Sequence, residues 1–171
     1  MNLASVQQIT QRFDAAGITY ATGGSGLLYA LGLTERVRDW DLTTEAPFEA
    51  VAQALQDIDF ISLPSGDYPF ASSFRLSVED NDLPVDIIGR YAIHSESGIC
   101  QLTTWVTSNW KSLNMGSPEI WAAAYTLMKR DSKAELLFSY IIEKGANREI
   151  VHSLLDEPLP SALRSRLQSL L

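Results

Sequence analysis

The segment Asp39-Trp40-Asp41-Leu42-Thr43 alternates polar and apolar side chains. Alternation at every second residue is typical of a β-strand with one buried face. On such a strand Asp39 and Asp41 emerge from one face, whereas Trp40 and Leu42 enter the opposite face. The pattern therefore predicts a half-buried strand on which two carboxylates converge.

A glycine-rich turn, Gly23-Gly24-Ser25-Gly26, lies upstream of that segment, between a predicted strand over 18–22 and a predicted short helix over 27–31. We expect Ser25 to cap this helix. A turn with little side-chain bulk lets backbone N–H groups approach a phosphate, which the positive end of a helix also attracts. The turn thus predicts that Gly23, Gly24 and Ser25 bind phosphate, with an unliganded strand-to-helix turn as the alternative.

Other patterns in the first two thirds of the chain predict helices and strands in mixed order. They are an amphipathic helix with apolar positions from Leu3 to Phe13 that Gly17 ends, a helix that Pro47 opens, a strand over 60–63, a hairpin with strands over 74–78 and 85–88, and one more strand over 99–106. We assign the hairpin turn to 79–82. The hairpin disfavours a phosphate-binding fold with an all-parallel sheet, in which helices would separate all the strands.

From Ser117 onward the pattern changes to helices. Ser117 and Pro118 suit the start of one helix, and Ser132 with Glu135 has the spacing of a capping box for a helix over 134–144. Asn147 and Ser161 are candidate starts of two shorter helices. We predict the α+β class: a domain over 1–113 with a mixed β-sheet and flanking helices, followed by a helical subdomain over 114–171.

A third carboxylate, Asp86, stands between Val85 and Ile87 on a predicted strand. If that strand lies beside the strand of Asp39 and Asp41, about 5 Å away, the three carboxylates share one patch. Such a group repels strongly unless a cation lies between its members, and Mg²⁺ prefers oxygen ligands of this kind. The three residues predict a metal site for phosphoryl or nucleotidyl transfer. A solvated strand face is the alternative.

The order and spacing of Gly24-Ser25, Asp39-x-Asp41 and Asp86 resemble the signature of the nucleotidyltransferase superfamily with the DNA-polymerase-β-like fold, which includes minimal, antibiotic, tRNA-end-adding and toxin-type enzymes. The resemblance covers 18–88. It implies transfer of a nucleoside monophosphate from an NTP, with ATP as the expected donor, to a hydroxyl acceptor. By this likeness Asp39 and Asp41 bind two Mg²⁺ ions, Asp86 binds the catalytic ion and helps deprotonate the acceptor, and Gly24 with Ser25 holds the triphosphate.

The superfamily usually supplies basic residues for the β- and γ-phosphates, yet residues 1–110 contain no lysine. Arginine is the expected substitute: Arg36 and Arg38 precede the metal pair, and Arg90 follows Asp86 at a spacing that puts it on the same strand face if the strand continues. The basic stretch 128–133 resembles a segment that toxin-like members fold over the nucleotide. That likeness implies nucleotide contacts for Lys129 and Lys133, and a solvated helix end is the alternative.

The net charge of −8 comes entirely from residues 1–113, which contain 6 basic and 14 acidic residues. Nucleic-acid binding needs clustered Lys and Arg, so this distribution disfavours an extended nucleic acid. It favours a small molecule or a protein side chain as the acceptor and leaves a tRNA end open. A homodimer or a partner protein, as in toxin-antitoxin pairs, is also open.

The single cysteine, Cys100, excludes an intramolecular disulfide framework and fits a reducing compartment. The sequence shows no targeting signal and no apolar run long enough to span a membrane, so we expect a cytoplasmic protein without a membrane partner. The main alternative to an enzyme is a catalytically inactive nucleotide-binding or toxin-partner protein that retains the fold. The shortage of lysine favours this alternative, and the three carboxylates oppose it.

Overall fold

The computed structural model describes residues 2–79 and 82–171, which form seven helices and nine strands. The helices are α1 (Ala4–Ala15), α2 (Gly24–Ala30), α3 (Phe48–Ala54), α4 (Pro118–Leu127), α5 (Asp131–Lys144), α6 (Arg148–Leu155) and α7 (Ser161–Gln168). The strands are β1 (Tyr20–Gly23), β2 (Trp40–Thr44), β3 (Ile61–Leu63), β4 (Phe74–Val78), β5 (Val85–Gly89), β6 (Ala92–Ser95), β7 (Gly98–Gln101), β8 (Ser108–Trp110) and β9 (Leu113–Met115).

Seven of the strands form one mixed sheet in the order β3-β4-β5-β2-β1-β9-β8. β2 pairs in parallel with β5, and β1 pairs in parallel with β9, whereas the other neighbours are antiparallel. β4 and β5 form the predicted hairpin; of its predicted turn, Asp80 and Asn81 lie outside the described residues. The mixed sheet and the helices confirm the predicted α+β class.

One face of β2 lies in the hydrophobic core. Trp40 and Leu42 are 1% and 0% exposed, as the alternation in the sequence predicts. Helix α1 contributes Val6, Ile9 and Phe13 to the same core. The burial of these side chains fixes which face of β2 is left for Asp41, because side chains two residues apart on a strand share a face.

The C-terminal helices surround α4, whose residues 122–124 are fully buried. α4 lies against α5, α6 and β6, so nearly its whole circumference is apolar. Ser117 caps α4 by accepting a hydrogen bond from the Ile120 N–H (3.1 Å), and Asn147 caps α6 by accepting from the Ile150 N–H (3.3 Å). Both caps confirm the sequence predictions.

Two predicted caps are wrong. Ser25 lies inside α2, which begins at Gly24, and its hydroxyl bonds the segment before β2 rather than its own helix. Ser132 lies inside α5, which begins at Asp131 without a side-chain cap, and Glu135 binds Arg166 of α7 instead. In each case a tertiary partner takes the side chain that the local pattern assigns to a cap.

The segment between β5 and α4 also differs from the prediction. Of the strand predicted over 99–106, only β7 forms, and it pairs with β6 in a separate two-stranded sheet. The short strands β8 and β9 were not predicted. β9 crosses the predicted boundary between residues 113 and 114, and the helical region begins at Pro118; the division of the chain into two units stays a prediction.

None of the helices among the described residues has both the length and the apolar character needed to cross a membrane.

Candidate active site

Three carboxylates meet where β2 and β5 lie side by side. Asp41 is directly opposite Asp86 in the parallel register, and Asp39 immediately precedes β2. Each residue offers one carboxylate oxygen such that these oxygens lie within 4.8 Å of one another. The structure thus brings together the three acidic residues that the sequence singled out, although their roles in catalysis stay predictions.

Ser77 fixes the orientation of Asp86. It lies opposite Asp86 on β4, and its hydroxyl donates a hydrogen bond of 2.6 Å to Asp86 Oδ1. Sequence reasoning missed Ser77 because the pairing register of the hairpin depends on its turn. One carboxylate oxygen of Asp86 is therefore occupied, and the other can face a ligand.

Ser25 fixes the position of Asp39. Its hydroxyl lies 3.0 Å from the Asp39 carbonyl oxygen and 3.1 Å from Asp39 Oδ1, and it accepts a hydrogen bond from the Arg38 N–H (3.0 Å). This contact joins α2 to the segment that enters β2. The phosphate contact predicted for Ser25 stays a prediction.

The two glycines of the turn leave space for neighbouring side chains. Gly24 has a φ of +56°, and a Cβ built on it would lie 1.7 Å from Asp41 Oδ2. A Cβ on Gly23 would lie 1.9 Å from the Trp121 indole. Glycine is thus required at 24 by both the backbone conformation and the position of Asp41.

The carboxylates repel one another in a partly buried setting. Burial raises the pKa of Asp41 to about 7, with the charges of Asp39 and Asp86 adding to the rise and those of Arg130 and Lys133 opposing it. Burial also raises the pKa of Asp86, against the hydrogen bond from Ser77 and the charge of Arg75. The protein's own groups leave the repulsion incompletely relieved.

A divalent cation fits this arrangement. The donors are carboxylate oxygens, the ligands that Mg²⁺ prefers, and their separation allows shared coordination. The raised pKa of Asp41 marks a site where a positive charge would favour the ionised form. We therefore identify Asp39, Asp41 and Asp86 as the candidate metal ligands.

The carboxylates line a cavity of about 260 Å³ between the sheet and the C-terminal helices. Four basic side chains share its lining: Arg38, Arg75, Arg130 and Lys133. Sequence reasoning missed Arg75, because only the fold brings β4 to this cavity. From the basic stretch 128–133 it selected Lys129 and Lys133 and missed Arg130.

Three other basic candidates, Arg36, Arg90 and Lys129, lie outside this lining. β5 ends at Gly89, and Arg90 is exposed with a φ of +49°, so the strand does not continue as its predicted placement required. Lys129 lines two neighbouring surface clefts, one of which it shares with Arg38, Arg130 and Lys133. Arg36 likewise borders a cleft shared with Arg38 and Lys133.

Aromatic side chains close the inner wall of the cavity. Trp121 contacts both tyrosines, with ring centroids 5.3 Å apart for Tyr91 and Trp121 and 5.7 Å apart for Trp121 and Tyr125. The Tyr125 hydroxyl is buried and has no hydrogen-bond partner among the described residues. Burial and the charge of Asp41 raise the pKa of Tyr125, so its hydroxyl stays protonated and can donate to a ligand.

No protein-family model and no curated protein matches the sequence. Among solved structures, TM1012, a candidate nucleotidyltransferase from Thermotoga maritima, is 18% identical with a TM-score of 0.59, and the alignment covers 83% of this chain and 93% of that chain. This chain has the nucleotidyltransferase fold.

Two structures of ANT(2″)-Ia extend the nucleotidyltransferase likeness over nearly the whole chain. The complex with adenylyl-2″-tobramycin is 13% identical, covers 98% of this chain and 97% of that chain, and has a TM-score of 0.58. The solution structure of the same antibiotic-resistance factor is 14% identical, with 98% and 91% covered and a TM-score of 0.58. The C-terminal helices therefore belong to the shared architecture, and the resemblance carried by the motifs is confirmed for the fold.

Proposed function

We propose that this chain is a Mg²⁺-dependent nucleotidyltransferase that transfers a nucleoside monophosphate from an NTP to a hydroxyl acceptor. The expected nucleoside monophosphate is AMP. The observation that carries the proposal is the convergence of three carboxylate oxygens within 4.8 Å on the wall of a cavity that also holds four basic side chains. Enzymes that transfer nucleotidyl groups need carboxylates that bind metal ions and, close to them, positive charges that bind the phosphates.

Asp39, Asp41 and Asp86 would hold the metal ions, which when bound neutralise charge on the reacting phosphate. In the transfer, the acceptor oxygen forms a bond to the α-phosphorus while the bond to the bridging oxygen of the β-phosphate breaks, and pyrophosphate leaves. The hydroxyl proton passes to the Asp86 carboxylate, whose orientation Ser77 holds. Burial raises the pKa of Asp86, and a metal ion held by the three carboxylates would oppose that rise by favouring the ionised form that a base needs.

The basic side chains divide the remaining work. Arg38, Arg130 and Lys133 lie on the side of Asp39 and Asp41, where they supply positive charge for the triphosphate. Burial lowers the pKa of Lys133, which indicates that its ammonium is partly desolvated. Phosphate contacts of Gly23, Gly24, Ser25, Lys129 and Arg90 belong to this proposal as predictions from the sequence.

The ANT(2″)-Ia complex contains an adenylylated small molecule, which supports ATP as donor and a small hydroxyl compound as acceptor. The excess of acidic over basic residues in 1–113 also favours a small molecule as the acceptor. A reducing compartment, the cytoplasm in the first place, suits the buried thiol of Cys100. A protein side chain, a tRNA end and a toxin-antitoxin partner are further acceptors or partners compatible with the fold.

One observation favours a second candidate function. Residues 1–110 contain no lysine, so every cation near the carboxylates on this part of the chain is an arginine. A nucleotide-binding protein that has lost transfer activity, or a partner protein of a toxin, would keep the cavity and bind the nucleotide without releasing pyrophosphate.

Calorimetric titration tests the proposal. The non-reactive analogue α,β-methylene-ATP is titrated into the wild type with Mg²⁺ or with EDTA, then into Asp39→Asn/Asp41→Asn, with Asp14→Asn as an exposed control for the loss of a carboxylate charge. We expect the wild type and the control to bind the analogue in a Mg²⁺-dependent way. In the double variant we expect the affinity for the analogue to be about tenfold or more weaker. Binding that is independent of Mg²⁺, or undiminished in the double variant, contradicts the assigned site.

Pyrophosphate release from ATP then separates an enzyme from a binding protein. The wild type is incubated with ATP, Mg²⁺ and a panel of hydroxyl compounds, and the double variant is the blank. Acceptor-dependent release supports the transferase. Tight Mg²⁺-dependent binding of the analogue with no release across the panel favours the inactive alternative.

A further inference from the structure

Arg75 lies on β4, which pairs with the strand of Asp86, whereas the other three basic residues of the cavity precede β2 or lie at the start of α5. On β4, Ser77 is opposite Asp86 and Arg75 is opposite Ile88, so Arg75 and Ser77 emerge from the same face about 7 Å apart. Arg75, Asp86 and Ile88 all line the cavity. The strand register therefore places Arg75 diagonally across from Asp86, the carboxylate that the proposed function assigns to the acceptor.

The charge of Arg75 has no ionic partner among the described residues. Within 2–79 and 82–171 no carboxylate oxygen lies within 4.0 Å of its nitrogens. Nη1 donates to the Pro64 carbonyl oxygen (3.1 Å), the guanidinium carbon lies 3.8 Å from the centroid of the Phe70 ring, and the buried Nε has no partner in the same ranges. The group is held in place by stacking and one hydrogen bond, with donor capacity left over.

The four cations of the cavity come from separate elements. Arg130 and Lys133 lie at the start of α5, and Arg38 precedes β2. Arg75 lies on β4, which pairs with the strand of Asp86. If the other three serve the triphosphate, as proposed above, Arg75 remains for the acceptor.

The acidic residues of the lining are the three candidate metal ligands themselves. A cationic acceptor would find no carboxylate in this lining that is not already engaged with metal, and it would face Arg75. An anionic group would instead gain a charge-assisted hydrogen bond from the planar guanidinium.

We propose that the acceptor is a small hydroxyl compound that carries a phosphate or carboxylate group, and that Arg75 binds this group and so determines acceptor specificity. The inference rests on the proposed function, because that function decides which side of the cavity receives the acceptor. A small acceptor is more compatible with a net charge of −8 than a polyanion is.

A matched set of hexoses tests the inference, since its members differ mainly in charge: glucose 6-phosphate, glucuronate, glucose and glucosamine. Each is titrated into the wild type saturated with Mg²⁺ and α,β-methylene-ATP. We expect glucose 6-phosphate or glucuronate to bind about tenfold more tightly than glucose, and glucosamine more weakly than glucose. The phosphate and carboxylate arms show which anion is preferred.

Variants of Arg75 separate recognition from support of the fold. In Arg75→Gln we expect the ratio of the anionic to the neutral dissociation constant to rise to about one, whereas Arg75→Lys keeps the charge without the planar fork and its stacking and so retains part of the preference. Lys144→Gln, an exposed residue about 16 Å along α5 from Lys133, controls for the change in net charge. A merely structural Arg75 would weaken the charged and neutral probes equally.

The outcomes distinguish the two proposals. A wild type that binds the nucleotide analogue but shows no preference for the anionic hexoses, or prefers glucosamine, overturns only the role of Arg75. The same holds if Arg75→Gln keeps the full preference. A wild type without Mg²⁺-dependent binding of the analogue overturns the proposed function and this inference with it.

Discussion

At the scale of single residues, the space beside Gly24 decides where Asp41 can be. Its φ of +56° is a conformation that glycine adopts freely, and the absent Cβ makes room for Asp41 Oδ2. Gly32 has a similar φ of +73°, but a Cβ added there would lie in open space, with no atom of the described residues beyond its chain neighbours within 4 Å. Substitutions at these two glycines therefore allow the effect of backbone strain to be separated from the effect of displacing Asp41.

We predict that Gly24→Ala weakens Mg²⁺ binding by about tenfold or more, because the methyl group displaces the Asp41 carboxylate. We also expect a loss of about 1 to 3 kcal/mol in the free energy of unfolding, from strain at positive φ and from the clash. Calorimetric titration with Mg²⁺ and urea unfolding measure the two effects.

Gly32→Ala is the matched control. It should lose about 1 kcal/mol of stability through strain alone and keep the Mg²⁺ affinity of the wild type. Equal Mg²⁺ affinity in Gly24→Ala and Gly32→Ala would mean that the position of Asp41 does not govern metal binding.

At the scale of elements, α4 is held to its surroundings by a buried carboxylate. Glu119 is 4% exposed and accepts hydrogen bonds from the Ser117 hydroxyl (2.6 Å) and from the Asn147 N–H (2.8 Å). The side chain thereby joins the start of α4 to the start of α6. Because Trp121 of α4 fills the space beside Gly23, this link also supports the wall of the cavity.

We predict that Glu119→Leu lowers the free energy of unfolding by about 2 to 4 kcal/mol, because it leaves the Asn147 N–H and the Ser117 hydroxyl without their acceptor. Glu119→Gln keeps a carbonyl acceptor and should cost about half as much. Urea unfolding gives the comparison. Glu149→Leu, at an exposed position in the first turn of α6, should change stability by less than about 0.5 kcal/mol; a similar cost at both positions would refute the role of Glu119.

Local signals were sufficient for most elements but not for the short ones. The strand of Asp39 and Asp41 and the helix after Ser117 were predictable, because alternation and capping are written in consecutive residues. β8 and β9 have three residues each, too few to show a period, and β9 is held by its pairing with β1. The caps predicted at Ser25 and at Ser132 with Glu135 did not form, because the Ser25 and Glu135 side chains bind partners distant in sequence.

In the candidate site, too, some residues could be predicted from the sequence and others could not. Asp39 and Asp41 converge because of their spacing on one strand, and the hairpin pattern made Asp86 a reasonable third member. Arg75 carried no local signal, because its relevance depends on which strand lies next to β5. Arg130 lies in the basic stretch 128–133, but only the way α5 meets the sheet shows that it lines the cavity together with Lys133. Residues that a fold brings together from separate elements are predictable only once the pairing order is known.

At the scale of the whole molecule, the uncompensated carboxylates couple folding to pH. The pKa of Asp41 is about 7 in the folded chain and near 3.8 when unfolded, so between these values the folded state binds more protons. Stability without metal therefore falls as pH rises from about 4 to about 7, on the order of 3 kcal/mol from this residue. Asp86 contributes with the same sign because its pKa is also raised.

We predict that Mg²⁺ reverses this trend, because it binds the ionised carboxylates of the folded chain and so adds stability that grows with pH. In EDTA the midpoint temperature of thermal unfolding should decrease as the pH is raised from about 5 to about 8. Mg²⁺ should raise this temperature, and by more at the higher pH. In Asp41→Asn both the decline in EDTA and the increase with Mg²⁺ should shrink. Exposed pairs such as Glu135–Arg166 remain in both proteins, so the difference between them isolates the site; an identical pH dependence in Asp41→Asn would show that Asp41 does not carry the coupling.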